Sequence, residues 1–449
     1  MAARRWRAFA KVSCAAALLL VAGLPARAQT ILRDAEAEYA LSEVARPVLN
    51  AAGVSPSSVR ILIIKDSSLN AYVLNAQTIA IHSGLLMKIT RPEMLQGVIA
   101  HEVAHIANGH LASRPMNMRN ARTAAAVGLA LAAAVATQNP SAGAGLAIGT
   151  QSAAKRAFLA HTRAEEASAD QSGLRYLSRA GVDPQGMIDL LDIFSGQEAL
   201  SSAHQDPYVL SHPLSSERLR SARGYAAAYG GGEPSDPETA YWFDRSQAKL
   251  AAYLRAPGAT LRRISPGDTS DATLVARTVA NQQAHDTGAA LQAAEQLIAK
   301  RPDDVYAREL KAWILLESRQ FGAASAAYAE AVALAPNDPL MLAGYGRALL
   351  AEDTPASNAK ALEVMEKSRA RDQLNPSMLR DLGLAYARAG QNGMASVVTA
   401  ERYALSGRLQ DAAVHAKRAQ GLVPRGSPAW RRADDIVLAA KSQPKRKSR

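Results

Sequence analysis

The chain has 449 residues, 48% of them hydrophobic and 20% charged, enough apolar material for two or three ordinary domains, which excludes a disordered chain. Its formal net charge of +12 sits largely at the ends: the first 28 residues carry five basic residues and no acid, the last nine carry five more, and +2 remains for everything between. A body this close to neutral gives no support to a nucleic-acid partner.

Arg4, Arg5, Arg7 and Lys11 precede the apolar stretch VSCAAALLLVAGL, and Ala26-Arg27-Ala28 follows with the small-x-small pattern of a signal-peptidase site. Residues 1–28 therefore read as a secretory signal cut before Gln29; the apolar core falls short of the ~20 residues that a spanning helix needs. The only cysteine, Cys14, lies inside that signal. The exported chain has no disulfide to draw on and relies on its core and on a metal.

From Ile31 the spacing of apolar residues predicts a helix that stops at Gly53. Val59 to Asp66 and Ala71 to Leu86 are rich in Ile, Val and Leu and predict two or three short strands. Thr90-Arg91-Pro92-Glu93 opens the next helix, with Thr90 as cap and Glu93 completing the box. Ala124 to Ala136 is an apolar run too short to span a bilayer; a buried or hairpin helix is expected there, or else a lid. Phe158 to Ala180 reads as a further helix, and Tyr229 to Pro237, YGGGEPSDP, as a flexible break.

Beyond it the chain is repetitive. Pro302 and Pro336 are one 34-residue period apart, and Ala324, Tyr328, Ala331 and Pro336 follow the second half of a tetratricopeptide repeat; Leu382 to Tyr386 follow the first half, and Ala412, Ala416, Ala419 and Pro424 the second again. Stacked helix pairs of this kind bury a continuous core and leave a concave face for partners. The expected organisation is signal 1–28, catalytic domain 29–228, connecting helices 229–265, repeats 266–440 and a basic, disordered tail 441–449, the last with weak attraction to anionic lipid.

His101-Glu102-Val103-Ala104-His105 is H-E-x-x-H. On a helix, residues four apart share a face, so both imidazoles reach one ion with Glu102 beside them, a pattern suited to zinc. A catalytic zinc needs a third protein ligand and an open position for water. A downstream histidine is one source, but Gly109 and His110 are out of register with the extended motif, which leaves His110 at the surface or behind a ligand. A glutamate on a separate helix is the other. In AEEASAD, Glu166 and Asp170 are four apart, so that one helix face offers Glu166 to the metal and Asp170 to a ligand histidine.

H-E-x-x-H with E-x-x-x-D on a later helix, the upstream NAYVLNAQTIAIHSGLL and the downstream SHPLSSER resemble the M48 family of zinc metallopeptidases over about Glu36 to Arg220. Signal and repeats extend the resemblance toward the BepA-like periplasmic proteases. It implies a mainly α chain with a small β-sheet: a zincin-type (gluzincin) α+β domain followed by an α-solenoid. It further implies one Zn2+ held by His101, His105 and Glu166, with Glu102 as general base and Asp170 behind the ligands. In BepA-like proteins the equivalent of His212 reaches the zinc as a fourth ligand, so His212 is expected to close the site at rest and to stabilise the oxyanion when released, with Arg218 as its electrostatic support. Where many relatives have Gly-Gly before the strand, this chain has Ala76-Gln77. The strand Thr78 to His82, taken as a sheet edge, would hold substrate by strand addition.

The resulting expectation is a periplasmic endopeptidase, associated with the outer membrane at most peripherally, that serves outer-membrane protein assembly and quality control. Its partners would be unfolded or partly assembled outer-membrane proteins and, through the repeats, the β-barrel assembly machinery. The alternative is a chaperone-like adaptor whose repeats carry the function and whose zinc site is largely latent.

Overall fold

The computed structural model describes residues 30–113, Ala126, 162–200 and 204–442. The expected signal and, apart from Ala126, the apolar segment Ala124 to Ala136 lie outside them. No helix among the described residues is long and apolar enough to cross a membrane.

Ile31–Leu32 form a short strand, β1, before Asp34 caps helix α1 (Ala35–Ala51) by accepting from the Ala37 N–H at 2.8 Å. Three more strands follow, β2 (Arg60–Ile64), β3 (Ala71–Asn75) and β4 (Thr78–His82), in the order β1-β2-β4-β3. β4 is parallel to β2 and antiparallel to β3. This corrects the expectation for Thr78 to His82: all five residues are buried and the strand is interior, as befits an unbroken apolar run covered on both faces. The edges are β1 and β3, and β3 is the one beside β4, where exposure rises toward Leu74 and Asn75.

After the short helix α2 (Ser83–Lys88) comes α3 (Pro92–Ala107), which carries the H-E-x-x-H residues. Its cap position is Arg91 rather than Thr90, because Pro92 takes the first helical position and leaves the extended residue before it as the cap. Glu93 does not close a capping box; its carboxylate accepts the Ser235 N–H at 2.7 Å. That bond, with Ser235 Oγ donating to Gln96 Oε1 at 2.9 Å, straps the expected flexible break against α3. Gly232 in the same segment lies so close to Val182 that a Cβ would stand 2.3 Å from backbone.

Helix α4 (162–179), α5 (Gln185–Ile193), α6 (Pro207–Ser211) and α7 (Ser216–Tyr229) complete the domain around α3. Ile79 and Ile81 of β4, Val98 and Val103 of α3 and Leu174 and Leu177 of α4 share its core. Helix α8 (Pro237–Leu254) packs along α1 and adds Phe243 and Leu250 to that core.

After α9 (Pro257–Leu261) the chain runs in five stacked helix pairs: α10 (Asp271–Gln283) with α11 (Thr287–Lys300), α12 (Val305–Glu317) with α13 (Phe321–Leu334), α14 (Pro339–Glu352) with α15 (Pro355–Arg371), α16 (Pro376–Arg388) with α17 (Asn392–Leu405), and α18 (Leu409–Gln420) with α19 (Pro428–Ser442). The 34-residue period is visible in the backbone: His285, Arg319 and Asp353, 34 apart, all adopt left-handed φ of 61°, 62° and 55° at the turn inside a pair. Ala324, Tyr328 and Ala331 are buried as the repeat requires, and Gly344 makes room for the Tyr328 ring, which a Cβ would approach to 2.6 Å. The last helix reaches Ser442, two residues into the segment expected as tail.

The proximal pairs are bound to α1 and α8. Tyr39 of α1 meets Trp242 and Tyr306 at ring-centroid distances of 4.8 and 5.2 Å. Arg245 of α8, fully buried, joins Glu36 of α1 to Asp304 at the start of α12, and Lys249 lies 2.8 Å from Asp34 and 3.0 Å from Glu36. Further on, Asp372 bridges Arg33 at 2.7 Å and Arg60 at 2.9 Å.

Candidate metal centre

Because α3 is buried on every side over Glu93 to His105, its two histidines have no solvent to face and point into a closed interior. The helix α4 comes over them closely: at Gly173 a Cβ would stand 3.2 Å from the Ala100 carbonyl carbon, so only glycine allows this approach without displacement. Glu166 and Asp170, seven and three residues earlier on α4, are thereby laid over His101 and His105. Helix α6 ends at His212, which completes the group.

Ligand atoms of His101, His105, Glu166 and His212 all lie within 4.8 Å of one another, and all four residues are buried. His101 Nε2 is 3.1 Å from His105 Nε2, 3.3 Å from His212 Nδ1 and 3.2 Å from Glu166 Oε2. Glu166 Oε1 is 3.5 Å from His105 Nε2, and Glu166 Oε2 is 3.0 Å from His212 Nδ1. An ion held tetrahedrally by bonds of about 2.0–2.1 Å has ligand atoms about 3.3 Å apart, close to these separations, so the donor set suits a single ion.

Behind the ligands the remaining nitrogens are engaged. His101 Nδ1 is 3.0 Å from Asp170 Oδ1, and Asp170 is in turn gripped by Arg218 through two guanidinium nitrogens. Arg218 Nη1 also lies 3.1 Å from Glu166 Oε2 and donates to the His212 carbonyl at 3.3 Å. Burial by itself would lower the His101 pKa, but hydrogen bonds and charge from Asp170 and Glu166 outweigh it and push it up to about 9. Burial raises the Glu166 and Asp170 carboxyls, yet the His212 charge beside Glu166 and the Arg218 charge beside Asp170 hold both below the usual carboxylate range. His105 is driven the other way, by burial first and the His101 charge second.

Glu102 sits on the next position of α3, fully buried, and neither of its oxygens is hydrogen-bonded among the described residues. His212 Nε2 stands 3.4 Å from Glu102 Oε1 and 3.3 Å from the Ala71 carbonyl. His110, set aside as a ligand, is buried and its Nδ1 is 2.9 Å from His105 Nδ1, so it orients that ring. Two contributors had no signal in the sequence. Tyr208 packs its ring 4.8 Å from that of His212 and its backbone carbonyl accepts the His212 backbone N–H at 2.7 Å, and β3 supplies the carbonyl at which His212 ends.

Comparison with known proteins agrees with this arrangement. Residues 35–226 match Peptidase family M48. The "Beta-barrel assembly-enhancing protease" of Yersinia pestis is 25% identical over 356 residues, 78% of this chain and 72% of that one. The protein of the same name from Escherichia coli (strain K12) is 29% identical over 164 residues, 36% of this chain, and the match spans 34% of its own length. Among solved structures, "MamA 41-end from Desulfovibrio magneticus RS-1" covers 38% of this chain and is itself covered over 97%, at 20% identity and a TM-score of 0.32.

Proposed function

From the premise that residues 35–226 form a peptidase family M48 domain with an intact His-His-Glu metal site, followed by helical repeats, we propose that this chain is a zinc endopeptidase of the periplasm. Its substrates are unfolded or stalled envelope proteins, above all β-barrel proteins on their way into the outer membrane. The observation that carries the reading is the four converging ligand atoms with a buried Glu102 beside them, which His212 approaches at 3.4 Å and which has no hydrogen bond among the described residues. The names of the two protease relatives support the substrate class.

His101, His105 and Glu166 would hold the ion, which supplies Lewis acidity toward a peptide carbonyl and lowers the pKa of a water molecule to about 7. Glu102 takes the proton of the attacking water and delivers it to the leaving amine. Asp170 and Arg218 keep His101 oriented and its ring basic. His212 is the latch: its Nδ1 fills the place a fourth ligand takes, which closes the site, and its Nε2 covers Glu102 and Ala71.

Ala71 is informative because the Asn70 carbonyl turns toward β4, where it accepts from the His82 N–H at 2.9 Å, so the Ala71 carbonyl faces the open side of the edge strand. A peptide adding to β3 would compete with His212 for that acceptor. Substrate entry and latch release are then one event.

The adaptor reading is favoured by the same contact, since a closed site does no chemistry. Glu102→Gln separates the two. It should retain metal, measured as metal content after dialysis, and lose cleavage of an unfolded β-barrel client; cells that keep the full wild-type phenotype with it would overturn the enzyme as the main role.

A further inference from the structure

The near-neutral body hides an uneven distribution of charge. Residues 29–375 carry 33 Lys and Arg against 35 Asp and Glu, whereas residues 376–442, the helices α16 to α19, carry ten against five. The proximal repeats are occupied by the peptidase side through Tyr306, Asp304 and Asp372. The distal helices pack on neighbouring repeat helices.

Where α16 begins, α17 ends and α18 begins, a cavity of about 340 Å³ is lined by Ser377, Arg380, Arg402, Tyr403, Ser406 and Arg408. The guanidinium groups of Arg402 and Arg408 lie 4.8 and 4.6 Å from the Tyr403 ring centroid, and that ring stacks on His415 at 5.2 Å with an interplanar angle of 11°. Two cations are thus held against one fixed aromatic surface. Asp411 engages Arg408 at Nε (2.7 Å) and Asp381 engages Arg380 at Nε (2.8 Å), so each carboxylate meets its guanidinium at that one nitrogen.

We propose that this pocket binds a phosphate-bearing group. Three guanidinium forks, two hydroxyls and a phenol around a single cavity suit a compact oxyanion with several acceptor oxygens. An acidic peptide would be matched by cations strung along a groove, whereas here three arginines line one cavity. A lipid headgroup and soluble phosphate offer the same chemistry.

The test uses the full chain and Arg402→Gln/Arg408→Gln, which leaves the basic residues 445–449 in place in both proteins. Sedimentation with phosphatidylcholine vesicles, with and without phosphatidylglycerol, reads the headgroup; calorimetric titration with inorganic phosphate reads the free anion. The substituted chain should bind at least about tenfold more weakly to the probe that the wild type binds. Loss on vesicles assigns the headgroup, and loss with phosphate alone assigns the soluble anion. If the wild type binds neither probe, or both proteins bind equally, the proposal fails, and binding of polyglutamate alone fails it too. Arg380→Gln, outside the Tyr403 stack, repeats the measurement should the paired substitution lower the melting temperature.

Discussion

His212 holds its imidazole between two demands, Nδ1 toward the ligand atoms and Nε2 toward Glu102 and Ala71. If His212 is the proposed latch, replacing it with alanine removes the nitrogen 3.3 Å from His101 Nε2 and uncovers Glu102, so His212→Ala should cleave an unfolded client, or the protein itself, on the order of tenfold faster. Unchanged or slower cleavage would retire the latch. Asp170 acts one step further back. Asp170→Asn leaves the buried Arg218 with one partner fewer and His101 without its orienting charge, and metal affinity should fall about 10–100-fold in a chelator competition. A wild-type affinity would mean that the Asp170–His101 contact does not tune the metal. At this scale the sequence was most readable: H-E-x-x-H and E-x-x-x-D state their geometry in their own spacing. Tyr208 and the Ala71 carbonyl were not readable, since a lone tyrosine in a five-residue helix and a backbone oxygen carry no pattern of their own.

Among elements, the pairing of α3 with α4 decides whether the site exists. Gly173→Ala puts a methyl 3.2 Å from Ala100 backbone, and α4 must shift by a few tenths of an ångström, carrying Glu166 with it. Retained fold with a clear loss of metal affinity is the expected outcome; full metal content at low ion concentration would show that the helices adjust without cost. In the repeats the turns of the first, second and fourth pairs share one form: Asp286 N–H bonds to Asn281 O, Gln320 N–H to Leu315 O and Gln391 N–H to Tyr386 O, each closing over a left-handed residue. That residue is glycine at Gly390 but His285 and Arg319 in earlier pairs. His285→Gly and Arg319→Gly should each stabilise the chain by about 0.5–1 kcal/mol in thermal or urea unfolding, with less gained at Asp353, because aspartate tolerates this conformation. Destabilisation would mean that those side chains make contacts worth more than the strain. Strand order shows the opposite case: TIAIH and AYVLN are both plausible edges as strings, and only pairing with β2 makes the first interior.

In the whole molecule, the repeats are held to the peptidase side by buried charge. Asp372 is 2% exposed; burial would raise its pKa, but the Arg33 and Arg60 charges outweigh this and lower it. A carboxyl depressed in the folded state contributes stability above its unfolded value, about 3.9, and loses it as pH falls through the folded value. The contact should therefore hold at neutral pH and weaken below about pH 4. Asp372→Asn mimics that loss at neutral pH and should cost about 3 kcal/mol, less than the upper range for a broken buried pair because Arg60 is a third exposed. Protease nicking between the repeats and the catalytic domain reads the loosening, and an unchanged digestion pattern would show that the Tyr39–Trp242–Tyr306 packing suffices alone.

Local periodicity determined the elements that bear the site and the two histidines with Glu102 between them, because these follow from side chains a few positions apart on one helix, and the 34-residue rhythm of the repeats, because that pattern recurs directly along the chain. Tertiary structure decided the rest. Which strand is the edge, that His212 reaches ligand atoms 111 residues away in the chain, that Asp372 returns to Arg33, and that the distal arginines share one cavity all depend on contacts between distant segments. Long-range contacts come from packing a common core, and packing leaves no periodic trace in the order of residues.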